Sequence, residues 1–92
     1  DLMDYKETVN NVMALLKEKG VCASSQKSHE DCYKALEDFM AERKETYSPE
    51  LRYSWLESLH PMHTRQRCAV WEQYALQLEE VALTGNGRNH LL

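Results

Sequence analysis

Tyr47-Ser48-Pro49-Glu50-Leu51-Arg52-Tyr53-Ser54-Trp55-Leu56 is the stretch on which the fold turns. Its first residues combine a serine able to accept from a freed backbone N–H, a proline whose locked φ suits the first helical position, and an acid in the first turn. This combination predicts a helix from Pro49 to about Leu59 that buries Leu51, Trp55 and Leu59, with Leu56 alongside. Pro61, which lacks an N–H and clashes with the preceding turn, ends it.

On the N-terminal side, Tyr5, Val9, Val12, Met13 and Leu16 recur at steps of three and four, so Asp4 to Lys19 reads as an amphipathic helix closed by Gly20. Val21 to Lys27 reads as a loop, with Ser25 or Ser28 capping a second helix whose stripe is Cys32, Leu36, Phe39 and Met40, with Tyr33 beside it. The run Glu42-Arg43-Lys44-Glu45 then leads out into solvent. On the C-terminal side, His63-Thr64 opens a fourth helix bearing Trp71, Tyr74, Ala75, Leu78, Val81 and Ala82. It ends near Thr84 with Gly85 as its cap, and residues 86–92 are expected to fray. No segment carries the strict alternation of a strand. The expected fold is all-α, a compact four-helix bundle in a single domain spanning residues 1–92.

Composition narrows the function. The chain is 42% hydrophobic and 28% charged, which suits a globular domain, and no apolar run approaches the roughly 20 residues that cross a bilayer. Three cysteines, Cys22, Cys32 and Cys68, at irregular spacing fit free thiols in a reducing compartment better than a disulfide framework, so a cytoplasmic location is expected. A start at Asp1 and an end at Leu91-Leu92 suggest a piece of a longer protein. The net charge of −4 disfavours nucleic-acid binding by bulk charge and leaves a local basic face as the route to it.

Two groups have metal-ligand chemistry: His60, His63 and Cys68, and Cys22, His29 and Cys32. Neither contains the close cysteine pairs of a structural zinc site. Small buried thiols and surface or capping histidines are the simpler account, and neither a metal nor another cofactor is expected. The cysteines lack a local nucleophile signature, and the glycines form no phosphate-cradling loop. The chain is therefore not expected to be an enzyme on its own.

The cations hold more interest. Arg65 and Arg67 occupy the first turn of the fourth helix, behind His63-Thr64, where they oppose the helix dipole. Backbone N–H groups, a threonine hydroxyl and an arginine together suit a phosphate, and the stretch Ser24-Ser25-Gln26-Lys27-Ser28 offers similar donors. On residue chemistry alone, pairing of these arginines with acids on neighbouring helices is the simpler reading.

A family resemblance shifts that balance. The run Ser25 to Met40, with Tyr33, Leu36 and Phe39 as S-x(7)-Y-x2-L-x2-F, resembles the second helix of the core-binding domains of tyrosine recombinases. Tyr47-Ser48-Pro49-Glu50 with Trp55-Leu56 is similar to the third helix of integrase-like proteins of phages and transposons. Thr64-Arg65-Gln66-Arg67 through Leu78 to Thr84-Gly85 is similar to their closing helix. The likeness covers about residues 4 to 88 through loose helical patterns rather than a chemical signature. It implies a SAM-like core-binding integrase domain, half of a C-shaped clamp on duplex DNA, in which the second and fourth helices face the DNA. The residues nearest DNA would then be Ser25, Lys27, Lys34, Thr64, Arg65 and Arg67. Strand cleavage would belong to a separate C-terminal domain, duplex binding by the isolated domain would be weak, and the full-length protein would self-associate. The competing expectation is an acidic helical protein-interaction or regulatory domain, with an apolar patch around Tyr47, Tyr53 and Leu91-Leu92.

Overall fold

In the computed structural model, which describes residues 4–84, four helices follow one another in the order α1 (Tyr5–Glu18), α2 (Ala23–Arg43), α3 (Pro49–Leu59) and α4 (Arg65–Thr84). Among the described residues there is no strand. The architecture is the expected all-α four-helix arrangement. α2 and α4 each pack against the other three helices, whereas α1 and α3 do not meet. The expected Gly85 cap and the fraying of residues 86–92 lie outside the described residues.

Local chemistry explains where the helices start and stop. Asp4 accepts from the backbone N–H of Glu7 at 3.1 Å and so caps α1, and Gly20, at φ 75°, turns the chain away from its end. Ser48 accepts from the N–H of Leu51 at 3.1 Å, with Pro49 opening α3, as its sequence predicts. Such a cap contributes about 1 kcal/mol. α2 departs from expectation. It begins at Ala23, and Ser25 and Ser28 lie inside it rather than capping it. The side chain of Gln26 donates to the carbonyl of Val21 at 2.8 Å and its backbone N–H to that of Cys22 at 3.0 Å, which tightens the turn and leaves little loop. α2 also runs on through Glu42 and ends at Lys44, which takes the left-handed conformation at φ 57°.

The core is apolar and aromatic. Val12, Leu16, Cys32, Leu36, Ala75 and Leu78 are fully buried, and Trp55 stacks on Trp71 with ring centroids 5.8 Å apart and planes 9° from parallel. Two polar clusters fasten α4 within this core. On one side, Tyr47 and the Nε of Arg52 both donate to Oε1 of Glu79, the latter at 2.8 Å. On the other, His29 lies between Ser25 and Gln77, and Tyr33 donates to the carbonyl of Tyr74 at 2.9 Å. These clusters correct two expectations. His29 is buried rather than a surface or capping group. Tyr47 is likewise buried and so contributes nothing to an exposed apolar patch, while Tyr53 is exposed beneath the Arg52 guanidinium.

Candidate functional site

α4 starts at Arg65 after an extended turn, and the hydroxyl of Thr64 accepts from the backbone N–H of Arg67 at 3.1 Å. This capping contact closes the first turn of α4, which lies beside α2. A groove of about 330 Å³ results, lined by Ser28 and Asp31 of α2 and by Thr64, Gln66, Arg67, Val70 and Trp71. The Arg67 guanidinium lies over the Trp71 ring at 5.7 Å, and the His63 ring approaches the same indole at 5.3 Å. Trp71 is itself nearly buried, so it forms a floor on which the exposed Arg67 cation rests.

The structure does not gather all six candidate residues here. Thr64 and Arg67 share the α2/α4 groove, and Ser28 and Gln66 join them as polar groups that the family likeness had not singled out. Arg65 instead lines the groove between α3 and α4, near Glu57, His60 and Glu72. Helical residues two apart project about 200° from one another, so Arg65 and Arg67 must face different ways. Lys27 and Lys34, seven residues apart, both face α1: Lys27 beside Lys17 and Glu30, Lys34 beside Lys6, Glu30 and Glu37. Lys27 also pairs with Asp31 at 2.8 Å, and that carboxylate is the main reason its ammonium is held above its ordinary range. Ser25 is half-buried, with its carbonyl 2.8 Å from Nδ1 of His29 and its hydroxyl bonded to Tyr74.

The metal-type groups are dispersed. His60 and Cys68 line the α3/α4 groove, His63 sits over Trp71, and Cys22, His29 and Cys32 divide between surface and core. Among the described residues no group of three or more His, Cys, Asp or Glu side chains could hold a metal ion. Burial pushes the Cys32 thiol well above its usual range, as suits a core residue. At exposed Cys22 the Ser24 hydroxyl, at 3.3 Å, and the backbone N–H of Ser25 lower the thiol. Among the described residues no helix is long and apolar enough to cross a membrane.

Two functional groups of the core escaped the sequence reading. Arg52 is buried against Glu79, although an arginine three residues into a helix reads as solvent-facing. Gln77 is buried against His29, 48 residues away in the chain. No local pattern announces either partnership. No family model, curated protein or solved structure matches the chain.

Proposed function

We propose that this chain is a DNA-gripping helical domain of the kind that tyrosine recombinases place ahead of their catalytic domain, and that it holds duplex DNA along the groove between α2 and the start of α4. The observation that carries the reading is the meeting of the α4 start, at Thr64, Gln66 and Arg67, with Ser28 in the second turn of α2. Phosphate contacts need donors presented together on a rigid surface, and the first turn of a helix with a hydroxyl and an arginine provides them. The likeness of Ser25–Met40, Tyr47–Leu56 and Thr64–Thr84 to the recombinase pattern supports the same face. Arg67 is the central contact, Thr64 and Ser28 are supporting donors, and Arg65, Lys27 and Lys34 lie on flanking faces. Asp31 in the groove and the net charge of −4 keep affinity low and sensitive to salt.

Titration of a labelled duplex at low salt tests this. Wild-type chain is expected to bind, with Arg67→Ala reducing the slope of log affinity against log salt by about 1 and Arg65→Ala changing it less. Equal binding by wild type and Arg67→Ala would refute the proposed groove. A second reading, an acidic protein-interaction module, is favoured by the α3/α4 groove, where Tyr53, Leu56 and Ala69 lie between Glu57 and Glu72. A wild-type chain that ignores duplex DNA even at low salt would favour it.

A further inference from the structure

α2 has a second open face, on a different stripe from its α4 groove, that meets α1. Two adjoining depressions of about 250 and 480 Å³ follow this α1/α2 seam and share Asn10 and Glu30. Lys6 of α1 and Lys34 of α2 line the first, and Lys17 of α1 and Lys27 of α2 line the second. The two helices thus run antiparallel, with a cation on each bank at either end of the seam. Of the chain's other lysines, Lys19 and Lys44 do not line it. Lys6, Lys17 and Lys34 are exposed and make no ion pair among the described residues, whereas Lys27 is engaged by Asp31 at 2.8 Å. Between the banks the floor is apolar: Val9 and Met13, one turn apart on α1, are only half-buried, and Ala23 is exposed. In a chain of net charge −4, unpaired cations beside uncovered apolar surface define the chemistry of what covers them.

We propose that the α1/α2 seam docks an acidic amphipathic helix of another protein, with its apolar stripe on Val9 and Met13 and its carboxylates against Lys6 and Lys34 at one end and Lys17 at the other. Lys6 and Lys17 lie three turns apart, about 16 Å along the α1 axis, which sets the length of the partner helix. Cations on both banks call for acids on both flanks of an apolar stripe, which a helix presents and a strand, with its two opposite faces, does not. Glu30 at the midpoint keeps acids out of the partner's middle turn, and Glu37 lowers the charge beside Lys34. A DNA backbone fits this surface less well, because its evenly spaced phosphates meet Glu30 and bring nothing apolar to the floor. The seam is separate from the α2/α4 groove, so the inference does not rest on DNA binding there.

Nitrogen-15 NMR of the full 92-residue chain tests it, with a synthetic lactam-bridged amphipathic helix bearing glutamates at both ends as the probe. A twin bearing lysines at the same places is the control. The glutamate helix is expected to bind with a Kd of about 0.1 mM and to move the amide resonances of Val9, Asn10, Met13 and Lys34, while the lysine twin leaves them in place. Lys6→Gln and Lys34→Gln should each weaken that binding about threefold, and the double variant about tenfold. Both lysines are exposed, so these variants leave the core intact. Arg67→Ala should bind the glutamate helix as wild type does, which separates this surface from the DNA groove. Equal binding of the two helices, seam resonances unmoved at about 1 mM probe, or an affinity indifferent to both lysines overturns the proposal. So does duplex DNA that moves the same resonances and loses its hold in the double variant, which would assign the seam to nucleic acid.

Discussion

The two polar clusters that hold α4 differ in kind. Toward α3 the fastening is ionic: Arg52 and Glu79 are nearly buried, with side chains 8% and 16% exposed, and Tyr47 caps the same carboxylate oxygen. Burial works against the Arg52 charge, but Glu79 more than offsets it and holds the guanidinium more firmly protonated than usual. Toward α2 the fastening runs through hydroxyls, carbonyls, an amide and one imidazole, and Tyr33 and Tyr5 extend it to α1. The difference teaches where the molecule is committed. An ion pair out of water punishes loss of either partner, whereas a chain of separate hydrogen bonds loses strength one link at a time.

The largest contrast should come from cutting the ionic side. Glu79→Ala leaves the Arg52 charge buried without its carboxylate and should cost about 3–5 kcal/mol in urea unfolding. The double replacement Arg52→Leu with Glu79→Leu should recover most of that loss. A single variant losing under about 1 kcal/mol would erase the distinction between the clusters.

Alkaline pH should act on both sides at once. Burial raises the phenols of Tyr5, Tyr33 and Tyr47 above the usual 10.0, and at Tyr47 the hydrogen bond and charge of Glu79 add to it. Above that pH the unfolded chain releases these protons while the folded chain retains them, so the folded state binds more protons and stability falls as pH rises. Each such tyrosine should contribute up to about 1.4 kcal/mol per pH unit. Urea midpoints at pH 9 and 11 measure the fall, and Tyr47→Phe should reduce it by one tyrosine's share.

The smallest effect should come from one link on the α2 side. Tyr33→Phe removes the hydroxyl that donates to the Tyr74 carbonyl and keeps the ring, so a loss of about 1 kcal/mol is expected from the same unfolding experiment. A loss as large as that of Glu79→Ala would mean that the two clusters are alike after all.

What could be read from the sequence was what depends on near neighbours. Ser48-Pro49 set the start of α3 through a contact three residues long, and the stripe of Val12 and Leu16 set the buried face of α1. The start of α2 was misread because its cap residue, Cys22, makes no side-chain capping bond, while serines two and five residues into the helix resemble caps. Burial of His29, Tyr47 and Arg52 depended on Gln77 and Glu79, 27 to 48 residues distant, and nothing local signals such partners. The candidate site was legible in part. Thr64 and Arg67 do share a groove with Ser28 of α2, yet helical phase alone already separated Arg65 from Arg67.

The parallel indoles of Trp55 and Trp71 give the molecule its own optical gauge. Two transition dipoles held 5.8 Å apart couple, so the near-ultraviolet circular dichroism carries a signature of the α3/α4 packing that disappears when those helices part. The second face of the pair's environment is chemical: Arg67 and His63 border Trp71 from the groove side. A guest displacing either one alters the emission of a fluorophore built into the floor beneath it, and occupancy can be followed without a dye.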